Sequence, residues 1–280
     1  LNEPFDQTWC REIAVRTTLV LFACILLAGC SGTLVFDADF EADTVGQPPA
    51  LEPPGPPAGD SITLLAQTEM PGTGGAVNLK VEISNLAPGQ AADDPNQGVI
   101  LATVSDSSVE AQIVTLNFSQ PVPPDGRVTA AFLVSKSSKD VVPFYAVLTG
   151  ALALKMANGQ FQAVNIGTGS NGDSPDELVA VLGSYAPNQA YSVLLTVDHC
   201  AHSIGFLIDE TGDDDTGSGK SPINETIAMT GFKPKGYLST PPGDVDKQKL
   251  QLFFGGFMAA PEAVRLDEIA VKIEALSCPS

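Results

Sequence analysis

The sequence predicts an all-β protein, a two-sheet antiparallel sandwich of the jelly-roll kind, and three observations predict it. Apolar and polar residues alternate with period two in short runs. Turn signals such as Pro88-Gly89, Asp125-Gly126, Asn158-Gly159 and Asn171-Gly172 separate those runs. Gly (26) and Pro (22) are many for a helical chain and ordinary for one broken into many turns. With 44% hydrophobic and 17% charged residues, the 280-residue chain can fill a sizeable core and does not have the composition of a disordered tail. Ten or more short strands at this spacing suit a sandwich.

The first element is not part of that fold. Arg16 precedes an apolar run from Leu19 to Leu27, followed by Ala28, Gly29 and Cys30. The run is too short to span about 30 Å of hydrocarbon as a helix. It has the length of a signal-peptide core with a small-residue cleavage site. Leu27-Ala28-Gly29-Cys30 resembles the lipobox of bacterial lipoproteins. The resemblance implies a signal peptide over 1–29, cleavage before Cys30 and lipidation of Cys30. Several acyl chains, each contributing about 0.8 kcal/mol per buried methylene, hold a protein durably in a bilayer where one would not. Ser31, rather than Asp, follows the cysteine, which in that family points to the outer membrane of a two-membrane cell. Glu3, Asp6 and Glu12 are out of place in a signal n-region, so translation is expected to start at Val15.

Residues 30–32 then form a short tether, and 33–280 a single sandwich domain. Leu34, Phe36, Ala38 and Phe40 alternate with Val35, Asp37, Asp39 and Glu41, which reads as a strand with one apolar and one acidic face. The Pro- and Gly-rich stretch 46–60 reads as a long loop laid over the sandwich. Further strands are expected at 61–68, 76–84, 109–119, 126–135, 142–154, 161–166, 177–182, 191–197, 203–208 and 249–254. The last segment is two-sided. Leu266, Ile269, Ala270, Ile273 and Leu276 fit one helix face behind Pro261, whereas the β-branched Ile269, Val271 and Ile273 fit a strand, the reading preferred.

The net charge of −19 excludes some partners. Such a field repels phosphate backbones, so nucleic acid is not an expected partner. It also repels anionic headgroups, so membrane attachment needs something other than a basic patch. Cys10 and Cys24 leave with the leader and Cys30 is lipidated, which leaves Cys200 and Cys278. In the oxidising compartment of an exported protein these two are expected to form a disulfide.

A second resemblance covers both ends and one middle section of the mature chain. The sequence FDADFEADTVGQPP at 36–49 resembles the opening strand of concanavalin A-like (laminin G-like) jelly rolls, which commonly run D-x-F-E-x-D-x-x-G-x-x-P. Residues 191–198 with 204–209 are similar to their paired central strands, and 266–271 to their closing strand. This resemblance implies two antiparallel sheets with adjacent first and last strands, and functions from sugar binding to glycoside hydrolysis. It also implies a structural calcium between the chain ends. Asp39, Glu41 and Asp267 are the ligands expected for it, since Ca²⁺ takes six to eight oxygens. The alternative for the same carboxylates is a solvated acidic edge that discourages strand aggregation.

Other candidates carry less chemistry. The acidic stretches 209–219 and 172–177 lack calcium-loop spacing and read as solvated loops. His199 and His202 flank Cys200, but no G-x-S-x-G elbow places a nucleophile beside them. Glycoside hydrolysis needs two carboxylates about 5–9 Å apart. No Glu-x-Asp-x-x-Glu run supplies them, and Asp176-Glu177 and Asp209-Glu210 are adjacent pairs that point to opposite faces of a strand. The only Trp, Trp9, lies in the leader, which leaves Tyr145, Tyr185, Tyr191 and Tyr237 as aromatic platforms. The expectation is an envelope-anchored lipoprotein carrying a non-enzymatic interaction or structural module. Its partners would be the membrane, through the lipid, and a glycan or envelope protein. A carbohydrate-binding domain is the first alternative and a glycoside hydrolase-like enzyme the second.

Overall fold

The structure, a computed structural model, describes residues 32–38, 40, 63–68, 79–83, 97–102, 109–121, 125–139, 143–149, 152–165, 176–211, 221–229, 249–259 and 263–276. The leader, Cys30, Asp39, Glu41, the 46–60 loop, 212–219, Tyr237 and Cys278 lie outside the described residues. The described elements are all strands: β1 (Thr33–Ala38), β2 (Thr63–Thr68), β3 (Leu79–Ile83), β4 (Gln97–Ala102), β5 (Val109–Pro121), β6 (Gly126–Lys136), β7 (Phe144–Leu148), β8 (Ala153–Ala157), β9 (Gln160–Asn165), β10 (Glu177–Ser184), β11 (Ala190–Asp198), β12 (Ser203–Glu210), β13 (Ile223–Ala228), β14 (Lys249–Ala259) and β15 (Ala263–Ala275). No helix among the described residues is long and apolar enough to cross a membrane.

They make two antiparallel sheets. One is eight-stranded, in the order β13-β12-β11-β6-β15-β4-β3, with β1 also paired to β15; the other is seven-stranded, in the order β10-β9-β8-β7-β14-β5-β2. The first and last of the described strands are therefore neighbours, and the chain passes repeatedly between sheets, as a jelly roll requires. The core lies between them. Val128, Phe132 and Val134 of β6, Val193 and Leu195 of β11, and Phe206 of β12 meet Phe144 of β7, Met156 of β8, Phe161 of β9 and Phe254 of β14. Phe254 stands edge-on to Phe132 at 4.9 Å between centroids and stacks over Phe144 at 6.4 Å. Such aromatic pairs add about 0.5–1.5 kcal/mol beyond the area they bury.

Turn chemistry sets the local register. Asn158 (φ 53°) and Gly159 (φ 71°) form the two-residue connection of the β8–β9 hairpin. Positive φ at both central positions is the type I′ geometry that Asn-Gly favours. The run expected at 142–154 is two strands, β7 and β8, because Thr149 at φ 52° turns the chain. Leu148, Leu152 and Leu154 stay in phase across that turn and are all buried, so alternation alone runs straight through it. Strands β4 and β13 lie in stretches where no strand was expected.

Bulges overturn two expected faces. In β1 the pairing slips between Leu34 and Phe36, so Val35 and Phe36 are both buried while Leu34 is 41% exposed. The segment 263–275 is a strand, as preferred, but its register against β6 shifts between Asp267 and Ala270, and Glu268 takes φ 51°. One extra residue puts Leu266 and Ile269 on the same inner face, three apart. That spacing is what looks helical in the sequence. It also takes Asp267 off the face of Ile269, Val271 and Ile273, with which unbroken alternation would align it. Asp267 is opposite Leu133, on the sheet's outer side. Terminal strand β10 carries two register shifts of its own, with Leu178 54% and Val181 53% exposed.

Phe254 is fully buried and holds both sheets together. Phe254→Ala is expected to cost about 3–5 kcal/mol of unfolding free energy, read from urea titrations followed by circular dichroism.

Candidate functional site

Among the described residues, two groups of ion-paired side chains stand out, one on the outer side of each sheet. In the seven-stranded sheet, Phe144, Ala146 and Leu148 of β7 point into the core, which turns Tyr145 and Val147 outward. Tyr145 is directly opposite Lys155 of β8, and Lys155 is opposite Gln162 of β9. Asp176, just before β10, closes the group. Its Oδ2 accepts the Tyr145 hydroxyl at 2.6 Å and the Lys155 ammonium at 2.7 Å. Lys155 Nζ also lies 5.5 Å from the Tyr145 ring centroid. One step along, Asn165 Nδ2 donates to Glu177 at 3.3 Å, and Gln162 donates to Gln160 at 3.0 Å. The adjacent row, Val147, Ala153 and Val164, forms a second buried cluster against which Tyr145 packs. This part of the outer face is therefore covered, not an open platform.

The chemistry of this trio is recognition or support. Burial, and then the hydrogen bond to Asp176, push the Tyr145 hydroxyl well above the ordinary tyrosine range, so it stays a protonated donor. Asp176 accepts from a cation and a hydroxyl through the same oxygen. The sequence treats 172–177 as solvated loop. The structure corrects this at Asp176, whose side chain is 15% exposed and ion-paired. The available signal is Lys155, a lone charge in the apolar run 152–157, which needs a partner if its face is covered.

The second group stands where β6, β11 and β15 end together. Arg127 forms a forked pair with Asp198, with Nη2 and Nε at 2.8 and 3.2 Å from Oδ2, and reaches Glu274 at 3.5 Å. Lys272 lies 3.3 Å from the other Glu274 oxygen. Asp198 Oδ1 accepts the Ala201 N–H at 2.8 Å, so the same carboxylate closes the turn 199–202. Cys200, in that turn, is disulfide-bonded; Cys278, its expected partner, lies outside the described residues. Partial burial raises the Asp198 pKa, but the Ala201 N–H, Arg127 and the Cys200 N–H outweigh it, and the result is below the ordinary carboxylate value of 3.8. Beside it, burial chiefly holds His199 below the ordinary histidine value of 6.5. The Asp198 charge opposes this and His202 adds to it. His199 Nε2 is buried without a hydrogen-bond partner.

The expected calcium ligands are not assembled among the described residues. Asp39 and Glu41 lie outside them, and no group of three or more His, Cys, Asp or Glu side chains within them is placed to hold a metal. Asp267 is fully buried and its Oδ1 accepts the Glu268 N–H at 2.8 Å. That contact suits a carboxylate stabilising the bulge.

No protein-family model matches the chain, and no curated protein matches it. Solved structures do show likeness. Lectin II from Ulex europaeus is 8% identical, with 86% of this chain and 100% of that one aligned at a TM-score of 0.44. A sialidase is 10% identical over 86% of this chain and 18% of its own, at 0.45. The catalytic domain of a glycoside hydrolase family 131 protein from Coprinopsis cinerea is 8% identical over 66% and 73%, at 0.38. The sandwich is established by the strand pairing described above, and likenesses of this depth carry no argument about activity.

Lys155→Met leaves a largely buried carboxylate without its cation and is expected to cost about 1–3 kcal/mol; adding Asp176→Asn should restore much of it, measured by a double-mutant cycle in urea. For the second group the sign follows from proton linkage. A histidine with a lowered folded pKa binds its proton more readily unfolded, so stability falls as pH drops below 6.5. Asp198 adds a further loss only below 3.8. The melting temperature should therefore decline between pH 7.5 and 5, and His199→Gln should flatten that decline.

Proposed function

We propose that the chain is a cell-envelope lipoprotein, anchored through acylated Cys30, whose sandwich serves as a non-enzymatic structural or contact module. The observation that carries the reading is how the leader meets the fold. Leu27-Ala28-Gly29-Cys30 ends an apolar signal-length run, and β1 begins at Thr33, three residues later. The non-enzymatic part rests on the polar groups described above. Among the described residues Asp176, Asp198 and Glu274 each have a cationic partner, whereas glycoside hydrolysis uses one carboxylate as a nucleophile or base and another as an acid.

A carbohydrate-binding role is the second reading. What favours it is the row Tyr145, Lys155 and Gln162 beside Asp176, which supplies hydrogen-bonding groups on a sheet's outer side. It is the weaker reading because the neighbouring Val147, Ala153 and Val164 are covered.

Two measurements test these readings. Mass spectrometry of the native protein should find a diacylglyceryl thioether and an acylated amine on an N-terminal Cys30; an unmodified thiol defeats the anchor. A glycan array probed with soluble 33–280 should show no reproducible binding. Sugar hits that vanish in Asp176→Asn would replace the contact-module reading with the carbohydrate one.

A further inference from the structure

We infer that one end of the sandwich is a membrane-docking surface: the end formed by Gly32, the β11–β12 turn 199–202, Asp125 and Leu276 is held against the bilayer. The inference rests on the lipidation of Cys30 proposed above and adds an orientation to it. Strand pairing brings these residues together. Thr33 is opposite Ile273, Gly126 opposite Ala275, Asp198 opposite Arg127, and Ser203 opposite Asp198. The Leu276 N–H donates to Asp125 O and the His199 N–H to Gly126 O. The starts of β1, β6 and β12 and the ends of β11 and β15 thus form one surface.

Reach sets how near the bilayer it lies. From Cys30 to Thr33 there are three residue steps, which span at most about 11 Å fully extended. Strand β15, at thirteen residues, is about 40 Å long, so its Ala263 end lies well beyond that tether. The exit direction is also restricted. A Cβ on Gly32 would overlap Lys272 Cε and sit 2.7 Å from Glu274 Cγ and 3.0 Å from the Ile273 carbonyl oxygen, so Gly32 lies close against β15 beside Lys272 and Glu274. A glycine makes that approach without displacing either side chain.

Charge points the same way. The chain as a whole carries −19 and repels an anionic leaflet. At this end Asp198 and Glu274 are ion-paired with Arg127 and Lys272 and exposed Asp125 adds one carboxylate, a small part of the chain's repulsive field. Exposed Ala201 and His202 are the outermost residues of the turn.

Because Trp9 is the only tryptophan and leaves with the leader, single tryptophans report position without background. Full-length lipidated protein would be placed in phosphatidylethanolamine–phosphatidylglycerol vesicles containing a dansyl-headgroup lipid. Energy transfer from Ala201→Trp is expected to exceed that from Lys139→Trp, beyond the opposite end of β6, at least about threefold, given the lengths above. Asp125→Trp provides a second near-end probe should Ala201→Trp fail to fold. A ten-residue Gly/Ser insertion after Ser31 should bring the ratio towards one. Equal transfer from both ends, with Cys30 acylated by mass, overturns the orientation and leaves the anchor standing. Absence of transfer together with an unmodified Cys30 overturns both.

Discussion

Strand β15 pairs with three others and changes step part-way along, at Asp267–Glu268. On one edge it runs beside β6 for most of its length; on the other it holds β4 through Ala263–Leu266 and β1 through Ile269–Ile273. The two partners meet the same edge end to end, and the bulge falls between them. Its cost is a non-glycine residue at positive φ, about 1–2 kcal/mol. The Asp267 carboxylate offsets part of this by accepting the Glu268 N–H that the bulge takes out of the ladder. With that step made, both ends of the chain close into the middle of one sheet, and the eight strands share a single core with the seven.

The alternation of small units was legible in the sequence because it follows from which side chains are buried. Phe132, Val134, Val193, Leu195 and Phe206 could be read inward from period two alone. The Asn158-Gly159 hairpin could be read because its backbone conformation limits which residues fit. What escaped was anything that depends on a strand losing phase. Val35 and Leu34 exchange roles at a bulge, Asp267 crosses to the other face, and Thr149 turns the chain without disturbing the parity of the leucines around it. None of these leaves a local mark in composition. The polar trio was half legible. Asp176 and Glu177 stood out as an acidic pair, but their cation and hydroxyl come from strands about 20 and 30 residues earlier, and only the order of the seven-stranded sheet brings Tyr145 and Lys155 to them.

The two charged groups have a common character. Each gathers its partners from strands far apart in sequence and ties a loop to a sheet. Asp176 fastens the approach to β10 onto β7 and β8; Asp198 fastens a disulfide-bearing turn onto β6 and, through Arg127, onto β15. Charges used in this way fix the geometry of the loops they hold.

The broken register of β10 has a consequence if the chain is held in a plane by the lipid proposed above. Confinement to a membrane raises local concentration far above that of a dilute solution, and a straight terminal strand with exposed Leu178 and Val181 would then recruit its twin from the next molecule. Two slips within eight residues leave no unbroken rail of amides for such a twin to follow. Lateral growth of sheets from molecule to molecule is thereby frustrated at its first rung, and crowding can rise without fibre formation through that edge.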